Sequence, residues 1–197
     1  TQYFQNIFSD PRTIEENRNE LMRSFDVDGD FQVLLIDIED ASQYSEIERR
    51  RLSLQLQLYF EKIECPYSFF WYDGYYVLIV NNLSQKVFYQ LVESMYHRAK
   101  NRMRVSALHI GMGTQLKDIR ELNLSYQRAL SAVTFARMFQ KNIICFDDMG
   151  IYQILFSIQD QKILSDMYHH LLDTLIQYDQ KHNSELEKTL YYYLKYD

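Results

Sequence analysis

The chain has 197 residues, 47% of them apolar and 24% charged, enough apolar content to bury a core and too much for intrinsic disorder. Five glycines and two prolines are too few for an all-β chain of many tight turns, so helix is expected to dominate. The 21 basic residues against 27 acidic ones leave a net charge of −6, which argues against this region gripping a phosphate backbone, and no apolar run approaches the roughly 20 residues of a membrane helix.

The chain starts at Thr1 and stops inside a helical pattern, and it reads as a portion cut from a longer protein. Pro11–Phe25 is free of glycine, with Ile14, Leu21 and Phe25 spaced for one buried stripe, and is predicted helical. Residues 1–26 together read as an N-terminal helical connector. After the turn Asp26–Asp30, the β-branched and aliphatic run Phe31–Asp40 is apolar enough for a strand covered on both faces. The carboxylates of Asp26, Asp28 and Asp30 alternate as in a calcium loop, but the sixth position is Phe31 and the twelfth is Asp37, so the loop chemistry fails and a solvated turn is expected.

Ser42–Ile63 is predicted helical despite the alternation of Leu52, Leu54, Leu56 and Leu58, because its length and propensity outweigh a period of two. One face carries Leu52, Leu56, Tyr59 and Ile63. Ile47, Leu54 and Leu58 form a second stripe, which needs either another helix of this chain or another subunit. Beyond Pro66, two aromatic and aliphatic runs are divided by Asp73-Gly74, a strong hairpin signal. Leu83–Asn101 is predicted helical with Val87, Leu91, Met95 and Tyr96 inward. Arg104–Gly113 follows as a strand. An amphipathic helix then carries Ile119, Leu122, Tyr126, Ala129, Val133 and Ala136, and Asn142–Phe146 is a short last strand. Met149–Ser157, Lys162–Tyr178 and Ser184–Tyr196 complete an all-helical tail. The predicted class is α+β: a mixed sheet of about five strands covered by helices, then that tail.

Several segments carry a resemblance. The strand–helix–hairpin order from Phe31 is similar to the GGDEF nucleotide cyclase fold, in which an Asp at the end of the first strand, here Asp37, holds a catalytic metal. GMGTQLKDIRELNLSYQRALSAVTFA resembles the degenerate GGDEF-like domain of PucR/CdaR-type transcriptional regulators, through Ile110, Gly111, Gly113, Leu122, Ser125, Tyr126, Ala129 and Ala132. CFDDMGIYQIL and LLDTLIQYDQKHNSELEKTLYYYL resemble the segments that lead, in those regulators, into a C-terminal helix-turn-helix. The resemblance divides the chain into a GGDEF-like domain over 27–147 and a helical tail over 148–197 that begins a DNA-binding region.

It implies a non-catalytic regulatory and dimerisation domain of a bacterial transcription factor, relaying an effector signal to a downstream reader. A homodimer is expected, with DNA contacted only through the domain that follows and an effector of unknown identity. The cyclase hairpin requires two glycines and an acidic pair; with Tyr76 at the motif's Phe, Gly74 and Tyr75 stand at the acidic positions and Tyr72 and Asp73 at the glycines. No enzyme activity, cofactor or metal site is expected. The alternatives are a divergent nucleotide-binding or cyclase module using Asp37, and a small-molecule sensor lined by the aromatic hairpin.

The contact residues predicted for subunit pairing are Ile47, Leu54 and Leu58 on the helix, Trp71, Tyr72 and Tyr75 on the hairpin, and Tyr192 in the run of three tyrosines, of which at least one must be exposed on a helix. Arg49–Arg51 and the basic cluster at 98–104 read as solvated helix faces, and the five histidines as structural or exposed. Cys65 and Cys145 form no close-spaced pair and read as free thiols of the cytoplasm, with a lone disulfide in a secreted protein as the alternative.

Overall fold

A computed structural model describes residues 2–9, 13, 22–23, 25–39, 41–61, 63–102, 107–158 and 161–196. They fall into two compact units, 1–153 and 154–197. In the first, a five-stranded sheet is built from β1 (Phe31–Ile38), β2 (Tyr67–Tyr72), β3 (Tyr75–Asn81), β4 (Leu108–Met112) and β5 (Ile143–Cys145), in the spatial order β2-β3-β1-β4-β5. β1 is antiparallel to both neighbours, with Leu34 opposite Leu78 and Leu35 opposite Gly111, while β4 and β5 run parallel.

Every residue of β1 is buried, as its two-sided apolar run requires. Alternate residues feed two cores. Leu34, Ile36 and Ile38 face α2 (Glu46–Phe60) and α3 (Gln85–Arg102), where they meet Leu56, Phe60, Phe88 and Val92. Phe31, Val33 and Leu35 face α1 (Gln2–Ser9) and α4 (Leu122–Met138), where they meet Phe4, Ile7, Phe8, Tyr126 and Val133.

α4 lies very close to the sheet because β4 carries glycine beneath it. A Cβ on Gly111 would stand 2.2 Å from the Val133 nitrogen, and one on Gly113 would stand 2.1 Å from the Ser125 carbonyl oxygen. Ser125 fixes the register: its hydroxyl accepts the Val33 amide at 3.0 Å and donates to the Thr114 carbonyl at 2.8 Å. The glycines and the serine of this motif therefore hold one helix against two neighbouring strands, β4 and β1.

Several predicted boundaries move. The helix expected from Ser42 begins at Glu46, because Ser45 and Glu48 form a reciprocal capping box and Ala41–Gln43 is a 3₁₀ turn. In α3 the inward set is Phe88, Val92, Met95, Tyr96 and Ala99, with Leu91 partly buried and Val87 49% exposed, contrary to the prediction for Val87. The larger Phe88 ring takes the core position. The tail helix expected from Met149 begins at Tyr152, after Gly150 at φ +57°.

The strand expected over Phe31–Asp40 ends at Ile38, and Asp40 lies outside the described residues, as do Arg104 to Ser106 of the strand expected to start there. Of the helix predicted at Pro11–Phe25, only Thr13, Met22, Arg23 and Phe25 are described. α1, ahead of it, is packed in the core, with Phe8 stacked on Tyr126 at a centroid distance of 4.3 Å.

The second unit contains α6 (Gln161–His182) and α7 (Leu186–Tyr196); α5 (Tyr152–Ser157) spans the boundary between units. Asp179, in the YD motif, accepts the Leu186 and Glu187 amides at 2.9 Å each and the Ser184 hydroxyl at 2.6 Å. These bonds, the Glu187 amide foremost, hold its carboxyl below the usual carboxylate range. The motif's aspartate thus satisfies the open amides at the start of α7.

Candidate functional site

The turn between β2 and β3 brings a cleft to the end of β1. Tyr72 pairs with Tyr75 across the two-residue bend Asp73-Gly74, both at positive φ (+48° and +86°), the twist that a tight hairpin requires. The cleft beside it has a volume of about 430 Å³ and is lined by Asp37 and Glu39 from β1 and its exit, Asp73 to Tyr75 from the bend, His109 from β4, and Arg137 and Gln140 from the end of α4.

Asp37 is the carboxylate set deepest in this wall, 8% exposed. Burial raises its pKa above the ordinary carboxylate value, while Arg137, and after it His109, pull it down. The Arg137 guanidinium stands 3.4 Å from Oδ2 through a single nitrogen, a stretched contact with a half-exposed partner. It moderates the charge of Asp37 without forming a bidentate pair. His109 lies opposite Asp37 in the β1–β4 ladder, and its Nδ1 is 2.6 Å from the Lys141 carbonyl oxygen, so that nitrogen carries a proton and donates. Tyr75 is half-buried, and burial raises its hydroxyl above the usual phenol range.

A two-metal phosphoryl site requires several carboxylates converging on open space. Among the described residues no group of three or more His, Cys, Asp or Glu side chains is placed to hold a metal ion. Asp37 faces a guanidinium, Glu39 is exposed, and the bend presents one aspartate where backbone has to approach a nucleotide. These residues do not fit the metal-bound triphosphate that cyclase chemistry needs.

The other candidates fall elsewhere. Ile47, Leu54 and Leu58 are 82%, 59% and 61% exposed on the outer face of α2. Trp71, Tyr72 and Tyr75 are half-buried. Trp71 meets Tyr76 edge-on at 4.7 Å beneath the Arg49 guanidinium, and Tyr72 packs on Phe8 and Tyr126. Tyr191, Tyr192 and Tyr193 are all exposed on α7. The Asp26–Asp30 turn is a structural joint: the Asn81 side chain accepts the Asp26 amide and donates to the Asp26 and Asp30 carbonyls, and the Asn82 amide reaches Oδ2 of Asp26. His169 pairs with Asp173 at 3.2 Å, and His182 lies against Tyr178. His109 and Arg137 are the cleft residues that sequence reasoning missed; Arg137 closes the last turn of a helix that starts far along the chain from Asp37, and only the fold joins them.

Residues 16–135 match the profile of the family described as GGDEF-like domain. The DNA-binding transcriptional activator AdeR of Bacillus subtilis (strain 168) is 29% identical over 111 residues, 55% of this chain and 26% of that protein. The match spans about a quarter of that relative's length. Among solved structures, the FimX GGDEF domain from Pseudomonas aeruginosa superposes with a TM-score of 0.47 at 11% identity, over 68% of this chain and 91% of the other. Among the described residues no helix is long and apolar enough to cross a membrane.

Proposed function

This chain belongs to the GGDEF-like domain family, and from that premise we propose that it is a non-catalytic regulatory and dimerisation domain of a PucR/CdaR-type transcription factor. It passes an effector signal to a helix-turn-helix beyond its C-terminal helices, and DNA is contacted through that reader, in the cytoplasm. Residues 27–147 form the GGDEF-like part, 148–197 the helices leading to the reader, and 1–26 the entry from upstream. The relative that shares its sequence is described as a DNA-binding transcriptional activator, which supports the regulatory class.

The observation that carries the non-catalytic reading is the state of the cleft: its buried carboxylate, Asp37, lies against Arg137, and the bend beside it is Asp73-Gly74 followed by the ring of Tyr75. Pairing of subunits supplies the fixed spacing that two DNA half-sites demand. Incubation of the chain with GTP and Mg²⁺ or Mn²⁺, followed by chromatography of the nucleotides, is expected to return unchanged GTP; a cyclic or linear dinucleotide product would overturn the assignment.

A second reading, small-molecule sensing, is favoured by the same cleft, whose volume of about 430 Å³ and mixed charge suit a compact polar ligand. Thermal-shift screening of sugar acids, purines and cyclic dinucleotides tests it, since a ligand that binds only the folded state raises the unfolding temperature.

A further inference from the structure

α2 has two faces of different character. Leu56 and Phe60 are buried on the inner face, and Arg49 on that side is engaged with Trp71 and the Tyr44 carbonyl. The outer face carries Ile47, Leu54 and Leu58, each more than half exposed. Arg51 and Glu61, both exposed, fall in the same line. Positions 47, 51, 54, 58 and 61 advance by four and three residues alternately, which is the seam of a two-stranded coil.

The charges on this seam choose the partner and its direction. In a parallel pair, equivalent positions meet, so Arg51 would face Arg51 and Glu61 would face Glu61. In an antiparallel pair with Leu54 opposite the partner's Leu58, each Arg51 falls opposite the partner's Glu61. One surface then satisfies itself through a twofold axis level with residue 56, as an isologous contact requires. We propose that α2 pairs antiparallel with α2 of a second copy of this chain, through two Leu54–Leu58 layers flanked by two Arg51–Glu61 layers. The proposal rests on the reading of this domain as one that pairs subunits, and it names the surface. Two apolar layers make a small contact of the transient class, so association is expected at about 10–100 µM protein.

The test combines sedimentation equilibrium with cross-linking of the full 197-residue chain. R51E and E61R alter exposed side chains, and each alone places like charges in both flanking layers. Each is expected to weaken self-association at least about tenfold. An equimolar mixture of the two restores opposite charge in both layers, and it is expected to associate as well as the parent. In a Cys65→Ser background, with Cys145 buried, mixed L54C and L58C chains are expected to form a disulfide under mild oxidation at least about fivefold faster than either alone. L54C alone cross-linking as fast as the mixture, or single charge variants that associate like the parent, would overturn the α2 pairing while leaving dimerisation through another face. A parent chain that stays monomeric at about ten times those concentrations would overturn pairing altogether. The GTP assay judges the non-catalytic reading separately.

Discussion

An alanine at Gly111 would set its methyl carbon 2.2 Å from the Val133 nitrogen and 2.4 Å from the Ala129 carbonyl oxygen, where an ordinary contact begins at 3.4 Å. Both obstacles are helix backbone, so no rotamer change relieves them, and α4 must retreat by about 1 Å or β4 must buckle. Retreat loosens Tyr126, Ala129 and Val133, all buried in one core with Phe8 and Leu35. Overpacking of a filled interior costs about 1–3 kcal/mol, and a rigid obstacle places Gly111→Ala at the upper end, about 3 kcal/mol. For a chain of this size each kcal/mol moves the midpoint by about 2–4 °C, so Tm is expected to fall by about 6–12 °C. Trp71 is the single tryptophan and packs against the sheet core, so its fluorescence during heating or urea titration follows the unit concerned. A shift below about 2 °C would refute the claim that glycine is required here by the approach of α4.

Three further outcomes are expected. Ser125→Ala strips a partner from the buried Val33 amide and from the partly buried Thr114 carbonyl, and urea denaturation is expected to show a loss of about 2–3 kcal/mol. Gly74→Ala meets no atom within 4 Å but must hold φ near +86°; a loss of about 1 kcal/mol is expected from backbone strain alone, measured against the larger effect at Gly111. Asp37→Asn tests the sign of the carboxyl's perturbation. Its pKa is raised in the folded state, so the native chain holds that proton more tightly, and ionisation lowers stability as pH rises through the ordinary value of about 3.9 and the higher folded one. The asparagine variant is therefore expected to gain on the parent at neutral pH and to lose that advantage as pH falls below the ordinary value, in Tm measured across pH 3–8.

Much of the fold was legible because its signals are local. β1 carries the apolar run Val33–Ile36, Asp73-Gly74 marks its hairpin unaided, and the spacing from Ile119 to Ala136 identifies α4. The outer stripe of Ile47, Leu54 and Leu58 could be read from spacing, since two apolar faces on one helix cannot both turn toward one sheet. Within residues 1–26, read as helical, α1 was not picked out as an element of its own although Phe4, Ile7 and Phe8 have helical spacing, because eight residues give little intrinsic helix stability and tertiary burial stabilises the helix. In α3 the Val87, Leu91, Met95 series and the observed Phe88, Val92, Met95 series differ by about one residue's rotation, and which one faces inward depends on the volume the sheet leaves open. The cleft was half legible. Asp37 and the hairpin come from sequence motifs, whereas Arg137 and His109 reach it through strand register and helix docking, which no local pattern encodes.

The position of β1 at the middle of the sheet has a consequence for synthesis. Its two neighbours are both encoded later: Leu34 waits for Leu78 and then for Met112. Translation at about 5–20 residues per second puts roughly 4–15 s between the emergence of β1 and that of its last neighbour. During that interval an apolar ribbon hangs from the ribosome with both edges bare until β3 emerges and one edge bare until β4 does, open to capture by chaperones or by another nascent chain. Slowing elongation between Asn82 and Leu108 would lengthen that exposure, so codon choice in this stretch bears on the yield of soluble protein without altering one residue of it.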